Sequence, residues 1–246
     1  MTDIPYLPQE AVKCVAIGEK YAELLTGPLK KQGVEEVISI PSCGALAEPV
    51  NSHADMLLCC TGKGRAVAAN EVYEKLAPEL EKYGYTVIRG RSVLGREYPH
   101  DVPYNAAVCG NIAMHRFDCT DAALIDELKR EHYLLKIKQG YGKCSVAPIG
   151  KKAALTSDSA IFRLLSEKGF DVFFVDSGGI ILDGMSCGLV GGCCGLLGPQ
   201  KIAFTGVFAD PAEMDAAESF LFNHGVEPVY LTDRQVFDIG SIIPIA

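Results

Sequence analysis

The sequence predicts an α/β fold in which five similar units, each running strand, strand, helix, strand, close into a five-bladed α/β propeller with pseudo-fivefold symmetry. Two observations lead to this prediction: the pattern recurs at roughly 40 to 50 residues, a period typical of propeller-like or solenoid arrays, and an apolar run left over at the C-terminus can close the ring onto the first unit. We expect a single domain, because no unit can bury its helix stripe and sheet faces alone. The expected units are residues 1–54, 55–104, 105–142, 143–190 and 191–246.

Each unit contains a short apolar run, a helical stretch, a glycine and a second apolar run. In the fourth, Ala153–Leu155 leads through a helical stretch to Gly169 and then to Asp171–Val175. Apolar residues three or four apart predict a helix with one buried face, and the glycine suits a left-handed helix end. In the third unit His132 stands near the expected glycine.

The expected helices carry start signals. Asp210 before Pro211 predicts a helix N-terminus, and Asp158 or Ser157 and Thr120 or Asp121 are candidate caps for two others. Pro28 falls inside the first helical stretch and predicts a break there.

A further apolar run precedes most units and is separated from the unit by a glycine-containing turn, which predicts a hairpin. The run Met56–Cys60 before Gly62–Gly64 is one example. The first unit lacks this leading strand unless Ile4–Leu7 supplies it. We favour the C-terminal run Ile242–Ile245, because two prolines make the N-terminus a poorer ladder strand. Deletion of the last six residues is then expected to destabilise the protein.

Composition excludes several classes of protein. Hydrophobic residues make up 48% and charged residues 22% of the 246 residues, which is ordinary for a globular chain. A net charge of −8 argues against a nucleic-acid partner. No apolar run approaches the length of a membrane helix, and the N-terminus lacks a signal pattern. We therefore expect a cytoplasmic protein with no membrane partner.

The ten cysteines do not show the spacing of a metal or disulfide framework. The chain has no Cys-x-x-Cys, and its close pairs are the neighbours Cys59–Cys60 and Cys193–Cys194. Adjacent side chains on a strand point to opposite faces, and cysteine in apolar runs serves as a small buried hydrophobe. We expect no metal and no cofactor. The glycine-rich stretch from Gly178 to Gly195 also lacks the spacing of a dinucleotide loop; its glycines are expected to allow tight packing.

Five such units in a chain of this length resemble the pentein fold, the α/β propeller of the guanidino-group-modifying enzymes. That superfamily includes deiminases, dimethylarginine hydrolases and amidinotransferases, and also a non-enzymatic ribosome anti-association factor. More narrowly, the segments His53–Met56, Lys138–Cys144 and Asp238–Ser241 are similar to a bacterial pentein family with no assigned function.

The resemblance implies a site on the pseudo-fivefold axis, where the joints before the leading strands meet. Seven polar residues of this sequence lie at those joints: His53, Asp55, Asn105, Lys143, Cys144, Asp238 and Ser241. In a shared pocket, Asp55 and Asp238 are expected to hold a cationic group, and Asn105, Lys143 and Ser241 to contact the ligand. Asp183, in the glycine-rich stretch, is a further candidate contact for a cation.

His53 and Cys144 are the candidate catalytic residues. His53 and Asp55 share one face if the segment is extended, and the carboxylate then raises the imidazole pKa and makes His53 a proton carrier. Lys143 lowers the pKa of the Cys144 thiol only if the two side chains approach, although neighbours on a strand diverge. An activated Cys144 is expected to react with iodoacetamide faster than the other nine cysteines.

One departure from the catalytic penteins separates the possible functions. Those enzymes use a cysteine nucleophile near the C-terminus, whereas this chain has Ser241 there and its last cysteine is Cys194. The deiminase mechanism therefore does not carry over, and a Ser241 nucleophile requires a base. Three functions stay open: binding of a small guanidino or amino-acid-like molecule, a non-catalytic protein-binding factor, and a hydrolase or transferase with a non-standard nucleophile.

Overall fold

The computed structural model describes residues 4–246, in which fifteen strands form five three-stranded sheets. The strands are β1 (Cys14–Gly18), β2 (Glu36–Ile40), β3 (Leu58–Gly62), β4 (Arg65–Ala68), β5 (Thr86–Arg89), β6 (Ala107–Cys109), β7 (Ile112–His115), β8 (Tyr133–Lys136), β9 (Val146–Gly150), β10 (Ala153–Thr156), β11 (Asp171–Phe174), β12 (Cys194–Gly198), β13 (Lys201–Phe204), β14 (Glu227–Tyr230) and β15 (Ile243–Pro244). The sheets, in strand order, are β15–β1–β2, β3–β4–β5, β6–β7–β8, β9–β10–β11 and β12–β13–β14.

Seven α-helices accompany these strands. They are α1 (Glu19–Lys31), α2 (Ala54–Leu57), α3 (Asn70–Glu81), α4 (Ala122–Glu131), α5 (Gly142–Ser145), α6 (Ser159–Glu167) and α7 (Pro211–Asn223). The five long helices each connect the second and third strands of one sheet, whereas α2 and α5 are single turns directly before β3 and β9.

Every sheet has the same internal arrangement. Its first strand pairs antiparallel with the second, and the second pairs parallel with the third. The hairpin predicted at Gly62–Gly64 joins β3 to β4 in this way. The fivefold strand, strand, helix, strand architecture expected from the sequence is therefore confirmed.

The C-terminal run supplies the strand that the first unit lacks. Strand β15 pairs antiparallel with β1, with Val15 opposite Pro244 and Ala16 opposite Ile243. Ile4 and Leu7 form a bridge only to each other. The last segment of the chain thus covers the edge of the first sheet.

The helix termini follow the local signals with one exception. The carboxylates of Asp121, Asp158 and Asp210 cap α4, α6 and α7 by accepting backbone N–H bonds from the first turn. The predicted break at Pro28 is wrong, because α1 continues through it to Lys31. Leu25 and Leu29 on either side of the proline are fully buried, and this packing holds the last turn in place without the missing hydrogen bond.

The strands form the core, and the cysteines are part of it. Strands β3 and β6 are buried along their whole length. All ten cysteines are free thiols and eight of them are buried, in keeping with the expectation that most of them serve as small buried apolar side chains. No helix within residues 4–246 has the length and apolarity needed to cross a bilayer.

We propose that the five units fold as one domain, and we predict that removal of residues 243–246 destabilises the whole chain. The deletion exposes the edge of β1 and removes Ile243 and Ile245, both fully buried, and loss of one such side chain alone costs about 2–5 kcal/mol. Thermal unfolding followed by circular dichroism is expected to show one transition at a lower temperature. Val93→Ala, at a side chain that is 79% exposed, serves as control. A deletion variant that melts like the full chain, or that leaves a stable folded half, contradicts the proposal.

Candidate functional site

The joints that precede the leading strands of the five sheets meet in one buried cluster. His53 and Asp55 lie before β3, Asn105 before β6, Lys143 and Cys144 before β9, and Asp238 and Ser241 before β15. The fifth joint, before β12, contributes the backbone of Gly191 and Gly192. All seven predicted side chains are at most 4% exposed. We call these seven side chains the axial cluster.

Asp55 and Cys144 are in direct contact. The Cys144 sulfur lies 3.3 Å from each carboxylate oxygen of Asp55. The Asn105 amide nitrogen lies 3.2 Å from the same sulfur and donates to the Asp55 carbonyl oxygen at 3.0 Å, while its oxygen accepts the backbone N–H of Cys144 at 3.1 Å. Asn105 therefore fixes the position of the thiol relative to the carboxylate.

Ser241 connects Asp55 to the buried lysine. Its hydroxyl oxygen lies 2.6 Å from Asp55 Oδ2 and 2.7 Å from the carbonyl oxygen of Gly191. Lys143 Nζ donates to the same hydroxyl at 2.9 Å and to the Gly191 carbonyl at 3.0 Å. Ser241 also has a φ of 77°, a left-handed conformation that is rare for a non-glycine residue and costs about 1–3 kcal/mol. The surrounding contacts hold the hydroxyl against this strain.

His53 and Asp238 lie on the side of the axial cluster that faces a surface cavity. His53 Nδ1 is 3.7 Å from Asp238 Oδ1, which is too long for a hydrogen bond. Neither ring nitrogen of His53 has a hydrogen-bond partner, although the residue is only 1% exposed. Asp238 accepts the backbone N–H groups of Gly240 and Leu189, each at 2.9 Å.

Glycines allow this close approach of the joints. A Cβ atom on Gly192 would lie 1.9 Å from Asp238 Oδ1, and one on Gly240 would lie 2.3 Å from the His53 Cβ. Gly191 is equally restricted, since its Cβ would meet the carbonyl oxygen of Lys143 at 2.2 Å. The expectation that the glycine-rich stretch permits tight packing is confirmed at Gly191 and Gly192.

Two local expectations about the catalytic candidates are wrong. The His53–Asp55 segment is not extended, because α2 begins at Ala54. Burial lowers the pKa of His53 to about 4 and outweighs the opposing effect of Asp55. At neutral pH the imidazole is therefore uncharged and is a poor proton carrier, although a ring nitrogen can bind a metal cation.

The approach of Lys143 to Cys144, on which activation of the thiol depends, is also absent. Both residues lie in the single turn α5 rather than on a strand, and the lysine ammonium is directed to Ser241 and Gly191. Burial and the carboxylates of Asp55 and Asp238 raise the pKa of the Cys144 thiol well above its usual range. Burial likewise raises the pKa of Asp55, and it raises that of Asp238 to about 6.

Asp183 lies outside the axial cluster but next to it. It is exposed and lines a cavity of about 350 Å³ whose wall includes Asp238. Tyr21 and Phe237 form aromatic walls with ring centroids 6.4 Å apart. The Tyr21 ring also lies 6.5 Å from the His53 ring, so the wall of the cavity is next to the His53 end of the axial cluster.

Of the residues that line this cavity, only Asp183 and Asp238 were predicted from the sequence. Lys20 and Tyr21 come from the start of α1, and Arg234 from the segment between β14 and β15. No motif surrounds any of them, and they come together only in the folded chain. Burial and the carboxylates of Asp238 and Asp183 raise the pKa of Tyr21 to about 12, so its hydroxyl keeps its proton at neutral pH.

Three metal-ligating groups also come together in the axial cluster. One ligand atom each from His53, Asp55 and Cys144 lie within 4.8 Å of one another. His53 and Asp55 belong to one joint and Cys144 to another. A local spacing such as Cys-x-x-Cys therefore could not indicate this set of ligands.

We predict that iodoacetamide labels Cys144 more slowly at neutral pH than the half-buried Cys119 and Cys187. The thiolate is the reactive form, and Cys144 is buried with a pKa raised well above 9.0. Its labelling rate is expected to rise about tenfold per pH unit through pH 9, because the thiolate fraction has not reached its plateau. Peptide mapping by mass spectrometry measures the rates. Cys144 labelled first at pH 7 would rule out this account and restore the activated thiol expected from the sequence.

Several solved structures share this fold at low sequence identity. An inosamine-phosphate amidinotransferase from Streptomyces griseus aligns with a TM-score of 0.56 at 10% identity, covering 100% of this chain and 97% of its own. An amidinotransferase of saxitoxin biosynthesis from Microseira wollei aligns with a TM-score of 0.55 at 11% identity, covering 93% of this chain and 91% of its own. DDAH from Pseudomonas aeruginosa aligns with a TM-score of 0.54 at 10% identity, covering 89% of this chain and 92% of its own. These likenesses show the fold alone.

The sequence itself matches one family. No curated protein gives a significant match, but residues 16–243 match a family of unknown function, DUF6873. That match spans nearly the whole ring, from β1 to the first residue of β15. The chain is a member of the DUF6873 family, and it has the fold of the pentein superfamily.

Proposed function

We propose that the protein binds a small zwitterionic molecule, of the guanidino or amino-acid type, in the cavity above the axial cluster. The observation that carries this proposal is Asp238, a carboxylate that is 3% exposed and yet forms part of the cavity wall. A buried carboxylate at the base of a cavity attracts a cationic group strongly, because water does not screen the charge.

The remaining lining supports a ligand with charges at both ends. Asp183 adds a second carboxylate, and Lys20 and Arg234 add two cations. The guanidinium or ammonium group is assigned to Asp238 and Asp183, and an anionic group to Arg234 and Lys20. The aromatic rings of Tyr21 and Phe237 supply the apolar walls that small-molecule sites combine with a few polar groups.

The volume and the fold are consistent with this ligand class. A cavity of about 350 Å³ is of the size that small-molecule sites have, about 300–1,000 Å³. Among the structures with the same fold, DDAH from Pseudomonas aeruginosa was solved in complex with citrulline, and another is an agmatine deiminase from C. jejuni. These two proteins support the choice of guanidino compounds and their ureido analogues as first probes.

We predict that L-arginine binds more tightly than L-citrulline, because the ureido group has no positive charge for Asp238 and Asp183. Charge-assisted hydrogen bonds contribute about 1.5–3 kcal/mol, so we expect a difference in Kd of about 10- to 100-fold. Isothermal titration calorimetry on the full chain measures both constants. Equal affinities, or no binding of either compound, contradict the proposal.

Matched variants test the assigned contacts. Asp183→Asn is expected to weaken the binding of L-arginine without affecting the fold, because Asp183 is exposed. Arg234→Gln is expected to weaken the binding of L-arginine but not that of agmatine, because agmatine lacks the carboxylate. Asp233→Asn changes an exposed carboxylate in the same segment outside the cavity lining and is the control. If Asp233→Asn weakens binding as much as Asp183→Asn does, the effect comes from general surface charge, and the contact assigned to Asp183 is wrong.

A hydrolase reaction on the bound ligand is the second candidate function, and one observation favours it. Ser241 lies at the C-terminal joint with its hydroxyl oxygen 2.6 Å from Asp55 Oδ2, and an adjacent carboxylate can act as base for a hydroxyl nucleophile. The reaction adds water to the guanidino carbon and releases ammonia, leaving a ureido product.

We predict that any such turnover depends on Ser241. Ammonia release from L-arginine or agmatine is expected to fall to background in Ser241→Ala. It is expected to persist in Ser145→Ala, a control at another fully buried serine, on α5 next to Cys144. Absence of ammonia release by the unmodified protein excludes this hydrolysis for these substrates and leaves binding as the function.

A further inference from the structure

We propose that His53, Asp55 and Cys144 bind a divalent transition-metal ion of the zinc class. The three donors lie within 4.8 Å of one another in the axial cluster. This inference does not depend on the ligand of the neighbouring cavity.

The three side chains form a donor set that suits zinc. Imidazole nitrogen, carboxylate oxygen and thiolate sulfur are the ligand types of protein zinc sites, and three protein ligands leave the fourth tetrahedral position open. A thiolate and a carboxylate together neutralise the two charges of the ion. Purely oxygen-binding cations such as Mg²⁺ and Ca²⁺ are disfavoured by the sulfur and the imidazole.

The spacing of the donors is close to the requirement for shared coordination. An ion at about 2.3 Å from sulfur and about 2.1 Å from oxygen needs the two atoms about 3.6 Å apart for a tetrahedral angle. Cys144 Sγ and the Asp55 oxygens are 3.3 Å apart. Binding of the ion requires this pair to open by about 0.3 Å and the donor nitrogen of His53, which lies within 4.8 Å of both atoms, to move towards them.

The unpartnered imidazole of His53 is an independent indication of a ligand. Both of its nitrogens lack a hydrogen-bond partner at 1% exposure. A buried polar atom without a partner costs about 1–3 kcal/mol, so proteins rarely leave one unsatisfied. Coordination of one nitrogen removes that cost. The carboxylate of Asp238, 3.7 Å from Nδ1, then stands where it can orient the ring.

Neighbouring residues already hold the other two donors in place. The Asn105 amide lies 3.2 Å from the Cys144 sulfur, and the Ser241 hydroxyl lies 2.6 Å from Asp55 Oδ2. Lys143 in turn donates to Ser241. Hydrogen bonds to the ligands are the usual means by which metal sites orient their donors.

Cobalt substitution tests the site directly in the full-length chain. After treatment with a chelator under reducing conditions, the protein is titrated with Co²⁺. We expect one equivalent to produce the near-ultraviolet charge-transfer band of a cobalt–thiolate bond together with the visible bands of a four-coordinate ion. Zn²⁺ is expected to displace the cobalt and to raise Tm. A titration without the thiolate band overturns the proposal and needs no variant for its interpretation.

Variants then assign the ligands. Cys144→Ser is expected to abolish the thiolate band, and His53→Gln and Asp55→Asn to weaken Zn²⁺ by at least about tenfold in competition with a chromophoric chelator. Cys193→Ser is the control, because Cys193 is buried close to Asp238 but outside the donor set. Circular dichroism verifies that each variant is folded. Loss of the band in Cys193→Ser with its retention in Cys144→Ser assigns the metal elsewhere and overturns the proposal.

Discussion

The structure depends on one constraint: five chain segments that each precede a strand must share one narrow, buried axis. Their polar groups have to find partners among themselves, because an unpaired buried donor or acceptor costs about 1–3 kcal/mol. Ser241 meets this requirement for three joints at once through Asp55, Lys143 and the carbonyl of Gly191. Glycines at the same joints remove side chains that would otherwise collide with the neighbouring joint.

The charges on the axis are not balanced by side chains alone. Asp55 and Asp238 are both buried, whereas Lys143 is the single lysine or arginine among the buried residues of the described chain. Burial and mutual repulsion therefore raise the pKa values of Asp55 and of the Cys144 thiol. A site with an excess of negative groups favours a cation, and both proposals place one there: a metal ion among the donors and a cationic ligand against Asp238.

The two proposals use different parts of the same end of the ring. The metal donors belong to the joints before β3 and β9, whereas the cavity is formed mainly by α1 and by the segments that precede β12 and β15, with Pro49 from the segment before β3. The two sites are adjacent at His53, a metal donor, and Asp238, part of the cavity wall, whose Nδ1 and Oδ1 atoms are 3.7 Å apart. The two sites can be tested separately, because none of the three metal donors lines the cavity and neither Asp183 nor Arg234 belongs to the donor set.

The sequence by itself determined the architecture. Hydrophobic periodicity, glycines after helices and a spare C-terminal strand are local signals, and they predicted five blades, the closing pair β15–β1 and the joints at which the polar residues lie. Only the tertiary structure decided how those residues act on each other. The segment around His53 turns into a helix instead of extending, Lys143 is directed away from Cys144, and burial lowers the pKa of His53. The tertiary structure also places Tyr21 and Arg234 in the wall of one cavity. The physical reason is that propensity and periodicity act over a few residues, whereas desolvation and contact depend on residues up to 186 positions apart, as Asp55 and Ser241 are.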